Sequence, residues 1–310
     1  MAATVSQPLP PRAATIKHRA FSPARIWALA ANTFTELVRL KIFYFLLIFA
    51  LLLIGSSIFL VRLSFQDQFQ MLKDVSLGAM SIFTSLLAIL ATAGLLPKDI
   101  EDRTLYTILA KPVPRLEYLI GKLSGVIMLL LVAMVLMGGV FAVVLVARVH
   151  EVTGEILHGT SGIPTDLMKQ QLTELHATAY NPNLWAGGLV ILAKACLLAS
   201  MTLFISTFAS SSIFTVIVSV VIYFIGHLQA TAREVWQTPI GLADTAWYMK
   251  GFLAIISLVF PDLQLFNLVD EIVVGTAIPS WLLLKTLGLG ATYCLIYLFA
   301  AYFVFEAREL

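Results

Sequence analysis

The sequence predicts an all-α integral membrane protein. Six transmembrane helices are expected, with an amphipathic interfacial helix ahead of the first and a re-entrant segment ahead of the last. Three observations predict this. Of the 310 residues, 59% are hydrophobic and only 12% are charged, against about a quarter charged in an ordinary soluble domain. The mean hydropathy is +0.91. Uncharged apolar runs also recur along the chain at the length a bilayer demands. A helix rising about 1.5 Å per residue needs about 20 residues to cross a hydrocarbon layer of about 30 Å. This arithmetic excludes a disordered chain, a disulfide scaffold and a soluble enzyme. A net charge of +2 leaves no strong field to attract nucleic acid.

Residues 1–21 are polar, basic and rich in Pro and Ala, and are expected to form a disordered cytoplasmic tail. They hold no apolar core followed by a small-residue cleavage site, so no secretory signal peptide is expected there. Residues 22–41 follow as an amphipathic entry helix. Ser22 is the expected N-cap, with Pro23 at the first helical position. Ile26, Ala30, Phe34, Leu37 and Val38 repeat at helical spacing, while Arg25, Asn32, Glu36 and Arg39 take much of the remaining surface. Such a helix lies along the cytoplasmic membrane face, either as an anchor or as a docking surface for a partner.

Residues 42–310 hold the six spans. The first three are 42–61, 75–97 and 123–147, each closed by charge: Lys41 and Arg62, Asp74 and Lys98, Lys122 and Arg148. The uncharged stretch 195–232 would be about 57 Å long as one helix, too long for one crossing. The polar cluster Ser206, Thr207, Ser210, Ser211 and Ser212 folds it into a hairpin, giving spans at 184–208 and 213–229. The last span is 281–303, with Trp281 and Tyr302 as interfacial anchors. Between the fifth and sixth spans, the run 252–260 is too short to cross and ends at Pro261. A re-entrant pair of short helices, 247–260 and 263–275, is expected there. Asp270 and Glu271 in that region are candidates to line an external exit.

Orientation follows from the positive-inside bias. Twelve Lys and Arg fall on the side of the N-terminal tail, the 98–122 loop and Arg308, against six on the other side. Both termini are therefore expected in the cytoplasm, and the insertion 148–183 outside. That insertion carries His150, Glu151, Glu155, His158, Asp166, Glu174 and His176. It has no H-E-x-x-H spacing, and a surface helix pair would show the same mixture. Cys196 and Cys294 lie inside apolar runs and read as small buried hydrophobes.

The loop between spans two and three is the most informative stretch. Asp99 can cap a short helix, and Glu101 and Asp102 suit the positive end of its dipole. Ile100, Thr104 and Ile108 give it one partly apolar edge, and Pro112 and Pro114 forbid its continuation. The plain alternative is a solvated loop. Lys194, near the middle of span four, costs about 2.5–3.5 kcal/mol at a helix centre and must face the bundle, a cavity or another subunit. It is a candidate for the translocation path, or else a lysine that snorkels or pairs structurally. Lys285 sits nearer the outer interface and reads as a snorkelling side chain.

Glu101-x-Arg103-Thr104, then Pro112-x-x-Arg115 and Gly121-Lys122, resemble the signature of ABC-2-type permease subunits of ABC transporters. The branch resembled contains the permeases of multicopper-enzyme maturation and gliding motility. The entry-helix run 31–39, the segment from Phe260-Pro261-Asp262 to Phe266-Asn267, and the C-terminal residues 305–310 are also similar. The resemblance runs from about Ala24 to the C-terminus, with the loop pattern its most specific part. It implies a six-span half-transporter in the cytoplasmic membrane that pairs with a second permease subunit, identical or not, and binds separate cytosolic ATPase subunits. Residues 99–110 would then form the coupling helix. Asp99, Glu101, Asp102, Arg103, Thr104, Pro112 and Arg115 would serve ATPase coupling, with Glu36 and Arg39 packing beside them. Gly121-Lys122 has Leu116, not Gly, five positions before Gly121, so the chain holds no phosphate loop. No cofactor is expected on this chain, and ATP with magnesium is expected on the partner. An autonomous ion-coupled carrier is the alternative, though no inverted repeat matches the two halves. A membrane-embedded enzyme is a third reading, for which the spans offer no nucleophile, metal motif or paired carboxylates.

Overall fold

A computed structural model describes residues 22–61, 68–101, 114–159, 165–181, 183–237, 261–274 and 279–307. Within them the chain is helical, with no strand. The helices are α1 (Pro23–Val38), α2 (Lys41–Val61), α3 (Gln68–Ala93), α4 (Leu95–Glu101), α5 (Arg115–Gly159), α6 (Thr165–Ala179), α7 (Leu184–Phe208), α8 (Ser212–Gln237), α9 (Val269–Val274) and α10 (Ser280–Ala307). A 3-10 turn, Leu263–Phe266, precedes α9. Six helical stretches among the described residues are long and apolar enough to cross a membrane. They coincide with the six runs expected from the sequence, as befits a multi-pass membrane protein. The tail 1–21 and the first short helix expected at 247–260 lie outside the described residues.

Two spans form the interior and the others wrap them. In their most apolar stretches α3 is 72% buried and the α7 stretch 67%, against 17% for α8 and for α10. The exposed sides of the outer helices are apolar: Phe45, Ile48 and Leu52 on α2, Ile217, Val221 and Phe224 on α8, and Leu295 and Phe299 on α10. In lipid, such faces need no protein cover.

The helices alternate in direction. The end of the bundle where α2 begins, here the entry end, also holds the end of α3, the start of α5 and the end of α10. Lys98 there bonds Glu36, and Arg115 bonds the carbonyls of Phe305 and Glu306. At the far end Arg148 reaches Gln68, and Lys73 donates to the Thr178 carbonyl at the end of α6.

Two elements differ from the expected boundaries. The third span does not stop at Arg148: α5 runs unbroken for 45 residues, about 67 Å at helical rise. Hydropathy falls at the charges, but residues 148–159 contain no proline and only Gly154 before the final Gly159, so the backbone has no reason to leave the helix. The expected N-cap at Asp99 is also not what forms. Asp99 sits inside α4, which begins at Leu95 after a one-residue break at Gly94. Pro97 falls in the first turn of α4, where its missing N–H has no intrahelical acceptor to lose.

Glycines set the closest approaches. A Cβ at Gly121 would fall 2.6 Å from Leu29 Cβ, and one at Gly125 would fall 2.6 Å from Thr33 Cβ and 2.8 Å from the Ala30 carbonyl. This Gly-x-x-x-Gly pair opens a channel on α5 in which α1 lies lengthwise, running the same way. At the far side three glycines receive the 261–274 segment. A Cβ at Gly226 would meet Leu263 at 2.8 Å, one at Gly187 would meet Ile272 at 2.8 Å, and one at Gly290 would meet Phe266 at 3.0 Å. Gly290 lies ten residues into α10, so the Phe266 ring sits about 15 Å in from the start of that helix.

Candidate functional site

At the entry end, charges from three helices converge on the first turns of α5. Lys122 on α5 lies 2.7 Å from Asp99 Oδ2 on α4 and 3.9 Å from Glu36 Oε2 on α1. Lys98, one residue before Asp99, reaches the other Glu36 oxygen at 2.7 Å. The Tyr118 hydroxyl donates to Asp99, and its ring stacks on Phe305 of α10, with centroids 6.0 Å apart and planes at 14°. One helical turn earlier, Arg115 donates to the carbonyls of Phe305 and Glu306 at 3.0 and 2.8 Å. These are terminal carbonyls of α10 that lack helical partners, and a cation there also suits the negative end of the dipole.

A second clamp holds α1. Arg25 Nε and Nη2 contact the two Glu117 oxygens at 2.8 and 2.9 Å in the forked geometry that suits guanidinium and carboxylate. The Ser22 backbone N–H donates to Glu117 at 3.0 Å. Ser22 does occupy the N-cap position, but its side chain makes no capping bond. The start of α1 is thus fixed by a carboxylate on α5.

These contacts differ in weight. Lys122 and Asp99 are buried side chains at 4% and 12% exposure, whereas Lys98 and Glu36 are at 51% and 31%. Removing one member of a buried pair leaves an uncompensated charge at about 3–5 kcal/mol. An exposed pair contributes about 0–1 kcal/mol.

Of the residues singled out for coupling, the structure brings together Glu36, Asp99 and Arg115. Glu101 ends α4 with its side chain exposed. Arg39 is exposed at the end of α1 and makes no ion pair among the described residues. Asp102, Arg103, Thr104 and Pro112 lie outside the described residues. Sequence reasoning missed Glu117 and Tyr118 and gave Lys122 no partner, because their partners stand between 19 and 187 positions away. The Gly121-x-x-x-Gly125 spacing was the one local signal that pointed there.

Lys194 is enclosed at 2% exposure in the middle of α7. Its ammonium donates to Ser81 Oγ on α3 at 2.7 Å and stands 6.0 Å from the Tyr223 ring centroid on α8. No carboxylate among the described residues pairs with it. Lys285 is exposed, with its ammonium 5.9 Å from the Trp281 ring. Glu271 is also exposed. In the 148–183 region, Arg148 bridges Glu151 at 2.6 Å and Gln68 at 2.7 Å, and His176 stacks on Tyr180. Among the described residues no three His, Cys, Asp or Glu side chains converge as a metal set. Cys196 and Cys294 are free thiols on α7 and α10. Compared with known proteins, the chain matches no family profile and no curated protein.

Proposed function

We propose that this chain is the transmembrane permease subunit of an ATP-driven ABC exporter, taking its energy from a separate cytosolic ATPase that binds at the entry end. The observation that carries the reading is the anchoring of both flanks of residues 102–113. On one flank Lys98 and Asp99 are tied to α1 and α5. On the other, Arg115 is tied to the end of α10. A force applied to the segment between them is therefore delivered to three helices at once. A partner that grips this segment differently in its ATP-bound and ATP-free forms would shift the equilibrium of the bundle, since differential contact is what moves a two-state system.

In this reading the entry end faces the cytoplasm of a bacterial-type inner membrane, with both termini there. α1 is the amphipathic entry helix, residues 99–110 make the coupling helix, and a second permease subunit completes the path. The 261–274 segment, seated on three glycines well inside the bundle, acts as the re-entrant element on the outer side. ATP and magnesium belong to the partner. Lys194 lines the path.

The test is copurification of the tagged full chain in mild detergent. An ATPase subunit should follow the wild-type chain, and the charge reversals Glu101→Arg and Arg103→Glu together should release it while the thermal transition stays put. Wild-type chain that comes away with no ATPase, or a variant that retains it in full, defeats the reading. The buried lysine favours the ion-coupled carrier as a second reading. Transport driven by a proton gradient, with no response to ATP, would select it.

A further inference from the structure

α5 carries one long face that the bundle does not use. Positions 132, 136, 139, 143, 146, 150, 153 and 157 follow one another at alternating steps of four and three. That is the seven-residue repeat of a helix that packs lengthwise against another. Six of the eight are Val, Leu or Gly, and His150 and Thr153 are the polar members. The chain itself leaves this row open. Val143 is 68% exposed, and Val146 and Leu157 are each 53% exposed. A Cβ at Gly139 would meet nothing within 4 Å. Ala142, Val143, Val146, Ala147 and His150, on the row or directly beside it, line an open groove of about 640 Å³.

Lipid covers such a face only as far as the hydrocarbon reaches. Leu157 stands nine residues beyond the charge of Arg148 on the same unbroken helix, about 14 Å further along. The charge pattern narrows what meets the row there. Between residues 131 and 159 the charged side chains are Arg148, Glu151 and Glu155. Helical rotation puts Arg148 and Glu155 directly behind the row and Glu151 toward its back. The flanking positions beyond the membrane, Val149, Gly154 and Ile156, are uncharged. A helix that meets only water has no need of a charge-free sector. A helix that meets its own copy does, because identical charges at these positions would oppose each other.

We propose that two copies of this chain pair along this row of α5, in a parallel helix pair that begins within the bilayer and continues beyond its far surface. Copies that share one orientation in a membrane are related by an axis along its normal. α5 therefore meets α5 running the same way, and each residue of the row faces its own counterpart. Gly139, Ala142 and Ala147 let the two backbones approach closely, and Leu157 gains an apolar partner outside the hydrocarbon. The surface is read from α5 alone; its use as the contact with the second subunit rests on the permease reading.

The experiment co-expresses two differently tagged full chains and needs no ATP. Cys196→Ala and Cys294→Ala remove the native thiols. Single cysteines are then introduced on the row, as Val146→Cys, Thr153→Cys or Leu157→Cys, or behind it, as Glu151→Cys or Glu155→Cys. On oxidation of the membranes with copper phenanthroline, the row variants should yield a disulfide-linked product bearing both tags about tenfold faster than the variants behind it. In the chain with its native cysteines, His150→Glu with Leu157→Glu sets like charges across the axis. The dimer fraction in native mass spectrometry should then fall about tenfold. Both residues are exposed in the single chain, so labelling of Cys196 and Cys294 on heating should be unchanged. If the double substitution unfolds the chain, the cysteine series decides alone. No doubly tagged product from the row, equal rates on the row and behind it, or a product joining one tagged chain to a different protein overturns the proposal. Doubly tagged product from the row in a preparation without an ATPase would uphold the pairing and defeat the permease reading. A recovered ATPase with no such product would do the reverse.

Discussion

Asp99 on α4 and Lys122 on α5 lie 2.7 Å apart at the entry end, with the Tyr118 hydroxyl also donating to the Asp99 carboxylate. A buried pair of this kind is held in place by what its loss would expose.

Lys122→Met should therefore destabilise the protein by about 3–5 kcal/mol by stranding the Asp99 charge. Lys98→Ala, which removes an exposed partner of Glu36, should cost about 0–1 kcal/mol. Cys196 and Cys294, the two free thiols within the bundle, provide the readout: their labelling by a thiol-reactive dye on heating reports unfolding. Adding Asp99→Asn to Lys122→Met should recover part of the loss. Equal transitions for the two single variants would show that the pair is not buried as described.

Gly125→Leu should expel α1 from its channel, because even a Cβ there meets Thr33 and the Ala30 carbonyl below 3.0 Å. Overpacking of this sort costs about 1–3 kcal/mol. A cysteine placed at Ala30, buried in the native chain, should become reactive in that background. Gly139→Leu, where a Cβ would meet nothing within 4 Å, should leave it protected.

Arg115→Gln should fray the end of α10. The lost charge near a helix C-terminus is worth about 0.3–1 kcal/mol, up to about 2 where partly buried. Amides in the last turn of α10 should exchange hydrogen faster, while those around Gly290 stay unchanged. Uniform exchange along the helix in both proteins would count against the capping role.

Gly290→Leu should displace Phe266 and loosen the 261–274 segment. A cysteine replacing Leu263, which is buried against Gly226, should then react with a polar maleimide added from the side of the segment. Unaltered protection would place the seat of this segment elsewhere.

The spans were legible because each is a run of about 20 residues without charge, and the penalty for burying charge in hydrocarbon leaves few other readings. The α7–α8 hairpin was legible from length alone, with Ser210, Ser211 and Ser212 marking the turn. What escaped has physical reasons. Hydropathy locates the membrane, not the ends of helices, so the extension of α5 past Arg148 was invisible to it. Single glycines such as Gly226 and Gly290 carry no pattern, and their role emerges only when another segment lies against them. The ties of Arg25 to Glu117 and of Lys98 to Glu36 join residues 92 and 62 positions apart, beyond the reach of helical periodicity. Glu36, Asp99 and Arg115 were singled out through a resemblance centred on the loop. Their grouping in space comes from the way α1 and α4 dock on α5.

The uninterrupted 45 residues of α5 make it a single stiff rod. Pivoting such a rod by about 5° about its first turn carries its tip sideways by about 6 Å. Whatever rocks Arg115 on one surface of the bilayer is thereby magnified into motion at Gly159 beyond the other, with no joint along the way to absorb it.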